Sequence, residues 1–177
     1  MVAIMGKDLF QKSQELFKSG DFNKTLETYE KALSNIDRSV ESEEYISFLR
    51  QLLKHCQNNN LKEEEALVLR AMGRTYSVFK EYVESLKHHW LSLKIQRKLG
   101  KKIEVAEGLL FIAEDQEVSG KFDEAIKSYR EAYEIYQKLG KSKHVKKIKK
   151  ELKRLDEYSK EAFEEDYMLN KFNINDF

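Results

Sequence analysis

The feature that most constrains this chain is a register of residue types written three times. From Leu9 the order runs Leu9, Ser13, Leu16, Gly20-Asp21-Phe22, Thr25, Tyr29 and Ala32. From Leu69 it runs Leu69, Gly73, Tyr76, Lys80-Glu81-Tyr82, Ser85, His89 and Ser92, and from Leu109 it runs Leu109, Ala113, Gln116, Gly120-Lys121-Phe122, Ala125, Tyr129 and Ala132. The spacings are identical in all three. Repetition of this kind decides architecture before local propensity does, because each copy is a unit that buries its apolar face only against neighbours. Two antiparallel helices approach closely only where small side chains face each other, with large residues filling the space between. Ser13, Gly73 and Ala113 on a first helix, and Thr25/Ala32, Ser85/Ser92 and Ala125/Ala132 on a second, mark such a line of approach. Gly20 and Gly120 end the first helix where a left-handed residue is tolerated, and Phe22, Tyr82 and Phe122 open the next. Each copy therefore reads as a helical hairpin, and the fold class as all-α.

Composition agrees. Proline is absent, 36% of residues are charged and 41% hydrophobic, so nothing blocks helices and each has material for an apolar face. A chain of 177 residues buries roughly two-thirds of the surface its unfolded form exposes, enough for one continuous stack. The net charge of +1 supplies no global field for nucleic acid or an anionic membrane, so both are disfavoured as partners. Cys56 is the single cysteine, which excludes an internal disulfide framework and fits a reducing, cytoplasmic location. Met1 to Gly6 is too short for a secretory leader, and the longest apolar run, Gly108 to Ala113, is far below the roughly 20 residues of a membrane span.

Over Met5 to about Gly140 the register resembles the tetratricopeptide repeat (TPR) family. The second and third copies close with Lys98-Leu99-Gly100 and Lys138-Leu139-Gly140 and are offset by 40 residues, similar to the longer-helix repeats of kinesin light chains and Pins-type polarity adaptors. The sequence departs from the family in having no proline at the repeat ends, Gln116 at an aromatic position and His89 at another. The resemblance implies a superhelical stack of hairpins in which the first helix of each lines a concave groove. In register, the groove residues are Lys7, Phe10, Gln14 and Phe17, then Leu67, Arg70, Arg74 and Val78, then Glu107, Leu110, Glu114 and Val118. Mixed apolar and charged side chains of this kind suit a peptide, with apolar contacts supplying affinity and charges fixing register. Arg70 and Arg74, one turn apart on one face, are the most specific feature. The alternative of a co-chaperone gripping a C-terminal carboxylate fails residue by residue. Phe10 and Gln14 stand where that pattern has Lys and Asn, Ala71 where it has Asn, and Glu107 and Phe111 where it has Lys and Arg.

The expected organisation is repeats over 1–140 (about 6–37, 66–99 and 106–139) with an additional helix near 40–57, a capping helix over 141–169 and a flexible tail over 170–177. Tyr45, Phe48, Leu49, Leu52, Leu53 and Cys56 recur at helical spacing in the additional helix, which Asn58-Asn59-Asn60 ends. Val145, Ile148, Leu152 and Leu155 form the stripe of the capping helix, whose lysines from Lys141 to Lys153 and Arg154 read as a solvated face, or alternatively as a surface recruiting nucleic acid or membrane. The acidic and apolar residues from Phe163 to Phe177 suggest docking or self-association. Chemistry is missing. His88-His89-Trp90 and His55-Cys56 offer no convergent metal spacing, Cys56 lacks a recognisable base, and no phosphate loop or nucleophile elbow occurs. No catalytic residue, metal, cofactor or small-molecule substrate is assigned, and the expected function is a non-enzymatic adaptor or assembly subunit binding a protein or peptide.

Overall fold

The computed structural model describes the backbone of residues 2–36 and 42–173, and side chains over 5–36, 42–158 and at Lys160. Among the described residues there are eight helices and no strand: α1 (Val2–Lys18), α2 (Phe22–Ser34), α3 (Ser42–Asn58), α4 (Lys62–Val78), α5 (Tyr82–Lys98), α6 (Lys102–Val118), α7 (Phe122–Lys138) and α8 (Ser142–Asn173). The chain forms two compact units, Met1–Glu104 and Val105–Phe177. The helix of 142–173 continues past the 169 at which the capping helix was expected to end, and residues 174–177 of the expected tail lie outside the described residues.

A fixed beat sets the helix lengths. Gly20, Asn60, Lys80, Gly100, Gly120 and Gly140 all have positive φ, between 54° and 83°. After each, the next N–H reaches back five residues to a helical carbonyl: Asp21 to Leu16, Leu61 to Cys56, Glu81 to Tyr76, Lys101 to Gln96, Lys121 to Gln116 and Lys141 to Tyr136, at 2.8–3.1 Å. This is the Schellman arrangement, which satisfies the carbonyls a helix end leaves open and turns the chain into an antiparallel partner. Asn60 adopts the left-handed conformation as asparagine can, whereas Lys80 does so as an ordinary L residue, a strain of about 1–2 kcal/mol.

In the first unit, α1 pairs with α2, and α4 packs on α2, α3 and α5. The predicted small positions are all buried: Ser13, Thr25, Ala32, Gly73, Ser85 and Ser92. The serines tie helices together as well as making room, Ser85 Oγ donating to the Gly73 carbonyl at 2.7 Å and Ser92 Oγ to that of Ala66 at 2.7 Å. A Cβ on Gly73 would stand 2.6 Å from the His89 ring, so the histidine occupies space a larger residue would fill.

The additional helix α3 is part of the core. Its Tyr45 and Phe48 enclose Phe10 of α1, with ring centroids 4.2 and 5.6 Å away, and both rings also meet Tyr29 of α2 at 6.4 and 6.1 Å. Such aromatic contacts contribute about 0.5–1.5 kcal/mol per pair beyond the area they bury. Cys56 is fully buried, and desolvation raises its thiol to about 11, which leaves it an inert packing residue.

In the second unit, α7 packs on α8, and Ala113, Ala125 and Ala132 are fully buried. Gln116, at the aromatic position, accepts a hydrogen bond from Ser128 Oγ at 2.7 Å. The same pair of positions in the preceding repeat holds Tyr76 on His88, rings 5.1 Å apart. A polar pair has replaced an aromatic one, with both partners changed together.

Candidate functional site

The second unit contains a cleft of about 280 Å³ with a wall from α6, a floor from α7 and a second wall from α8. Leu110, Glu114, Glu117 and Val118 come from α6, Tyr129 from α7, and Lys147, Ile148, Glu151 and Arg154 from α8. The apolar side chains on α6, Leu110 and Val118, lie about two helical turns apart on the side that faces the cleft, and Val118 leaves 64% of its surface in solvent. Arg154 closes one end. Its Nη2 donates to both oxygens of Glu117 at 2.7 and 2.8 Å, and its Nε to Glu151 at 3.0 Å. These carboxylates stabilise the guanidinium further, raising its pKa.

Tyr129 is 4% exposed and stands at the cleft without the bond that its counterpart makes in the first unit. Tyr29, at the same repeat position, bonds Thr75 Oγ1 of the following first helix at 2.7 Å. In α8 the residue at the Thr75 position is Leu155, which offers no polar atom. The Tyr129 phenol is thus left at the cleft floor, where burial, then Glu114, Glu117 and Glu151, push its ionisation above the usual tyrosine range. It is held neutral, as both donor and acceptor.

The other expected groove residues fall differently. Lys7 is exposed and Gln14 half-buried, but Phe10 is 3% exposed and Phe17 packs on Phe22 and Phe48. Phe10 is a core residue here because α3 covers it. Leu67 and Val78 are half-buried against the same core. Arg70 is half-buried, and Arg74 pairs with Glu30 of α2. Of the α6 set, Leu110, Glu114 and Val118 line the cleft, and half-buried Glu107 does not. Sequence reasoning missed Tyr129 and the whole α8 wall. A signal was present, since α8 starts 40 residues after α6 and so takes the place of a first helix, with Lys147 and Arg154 at the positions of Glu107 and Glu114.

The histidines serve packing. His55 stacks on Phe22 at 6.0 Å, His88 Nδ1 lies 2.7 Å from the Glu84 carbonyl, and His89 is buried. Among the described residues no group of histidine, cysteine or carboxylates is placed to hold a metal, and no helix is long and apolar enough to cross a membrane.

The sequence model of the tetratricopeptide repeat family matches residues 63–138. These residues are tetratricopeptide repeats. The TPR segment takes in α4 to α7, and repeats of this family generally mediate protein–protein interaction on a typically non-enzymatic scaffold. Among solved structures, BtubC (BKLC) from P. vanneervenii is similar over 87% of this chain, with 19% identity and a TM-score of 0.49. The chain spans 55% of that protein. No curated protein sequence matches the chain.

Proposed function

We propose that this TPR protein is a non-enzymatic adaptor or assembly subunit that takes a peptide segment of a partner protein into the α6–α8 cleft. The observation that carries the reading is the cleft itself: Leu110, Val118 and Ile148 line it around the nearly buried Tyr129. A peptide supplies both things the cleft lacks, apolar side chains for the walls and a backbone amide or carbonyl for the phenol. Glu114 on one wall and Lys147 on the other fix direction and register more than they add affinity. In the first unit the face of Leu67, Arg70, Arg74 and Val78 is the corresponding proposal, with Arg74 able to exchange Glu30 for a partner carboxylate.

The test is affinity capture on the full chain with chemical crosslinking, comparing wild type with the double change Leu110→Glu and Val118→Glu. Captured proteins that crosslink to α6 or α8 should be lost from the double variant while helicity is unchanged. Retention of every crosslinked protein would overturn the cleft as the binding site.

A further inference from the structure

Helix α5 is built inside out. Five of its six buried residues, Ser85, His88, His89, Ser92 and Gln96, are polar, with Leu93 the exception. Its outer side instead exposes Val83 at 80%, Trp90 at 42% and Leu91 at 43%. On a helix of 3.6 residues per turn, Val83, Trp90, Lys87 and Lys94 fall along one stripe with Leu91 beside it. The helix carries Lys87, Lys94, Arg97 and Lys98 against Glu84 alone, a net +3.

Position-matched helices show that the repeat does not require this. At the places of Val83, Trp90, Leu91 and Lys94, α7 has Asp123, Arg130, Glu131 and Glu134, a normal solvated face. α2 has Asn23, Glu30, Lys31 and Ser34 there. A basic stripe carrying the chain's only tryptophan is confined to α5, and an exposed apolar patch of this kind marks a contact surface.

We infer that the outer face of α5 docks the segment Glu161–Phe177 of a second copy of this chain. That segment holds Glu161, Glu164, Glu165, Asp166 and Asp176 against Lys171, a net −4, together with Phe163, Tyr167, Met168, Leu169 and Phe172. Its charge and its apolar content both complement the α5 stripe. α8 is one unbroken helix to Asn173, and the ring of Phe122 at the start of α7 meets Tyr158 at 5.0 Å, so the backbone of this segment continues 15 residues past that contact. The docking uses a surface separate from the α6–α8 cleft and stands or falls independently of it.

The experiment uses the full chain and a synthetic peptide of residues 161–177, which contains no tryptophan. Adding the peptide should blue-shift the Trp90 emission, with binding that weakens as salt rises. Val83→Asp with Leu91→Glu, which gives α5 the residues α7 carries, should weaken the peptide at least about tenfold without altering the melting temperature. In sedimentation, wild type should show concentration-dependent self-association. That association should be lost both in the α5 double variant and in Glu164→Lys/Glu165→Lys/Asp166→Lys. Self-association that persists in either variant overturns the inference, as does a wild type that stays monomeric with Trp90 unmoved by the peptide. Emission that shifts with phosphatidylserine vesicles but not with the peptide overturns it in favour of a membrane surface.

Discussion

Acid should loosen this protein well before its carboxylates are titrated, and His89 is the reason. Its ring is 1% exposed, and burial first, then the charges of Arg74 and Arg70, push its pKa down from 6.5 to about 3. The sign follows from proton counting. Above pH 6.5 the ring is neutral in folded and unfolded chains alike and contributes nothing. Below that, the unfolded chain takes up a proton that the folded chain refuses, so stability falls with decreasing pH at up to about 1.4 kcal/mol per unit until the folded ring itself titrates. Between pH 7 and pH 5 the loss is about 2 kcal/mol, some 4–8 °C in melting temperature for a chain of this size. The Asp21 carboxylate, held low by Lys24, remains ionised over that interval. Urea unfolding at pH 7, 6 and 5 measures it, with His89→Phe as the control. The same repeat position holds Tyr29 and Tyr129 in the other copies, so a six-membered ring has precedent there. His89→Phe should flatten the dependence whatever its own stability. Equal slopes in wild type and His89→Phe would refute the assignment.

Other consequences can be checked by the same unfolding measurements. Ala125→Leu should destabilise by about 1–3 kcal/mol, because Ala125 is fully buried where the two helices of its hairpin approach. Gly73→Ala should cost a similar ~1–3 kcal/mol in wild type and much less in a His89→Ala background, since the clash is with that ring. Lys80→Gly should leave stability unchanged or raise it by up to about 1 kcal/mol, relieving a positive φ that four other junctions assign to glycine. Phe48→Ala should lose about 3–5 kcal/mol if α3 is a core element, and a loss near zero would show α3 to be an ornament.

The three hairpins were legible because their logic is local: a small residue opposite a small residue, and a left-handed residue after each first helix. The place of α3 was not legible from its own stripe. Helical periodicity in Tyr45, Phe48, Leu52 and Cys56 says that a face is buried, and is silent on whether α1, α2 or α4 buries it. The clue lay in Phe10, a large aromatic at the place of Arg70 and Leu110, which only a covering element explains. The α8 wall was obscured by its lysines. Charge density suggested a solvated cap, whereas the 20-residue beat from Gly120 to Gly140 assigns α8 the place of a first helix.

The same beat explains why repeated positions reveal fold and departures from them reveal function. Six junctions with one geometry fix which side chains meet inside, and substitutions there come in matched pairs, Tyr76 with His88 or Gln116 with Ser128. Where a departure is unmatched, a polar group or an apolar surface is left over. Thr75 satisfies Tyr29, but Leu155 at the equivalent place cannot satisfy Tyr129, and a nearly buried hydroxyl opens into the α6–α8 cleft. Asp123 and Glu131 keep the outer face of α7 wet, but Val83 and Leu91 at those places leave α5 apolar. Neither departure improves the stack, since one removes a hydrogen bond between helices and the other exposes hydrocarbon to water. A partner that supplies the missing contact reverses both penalties.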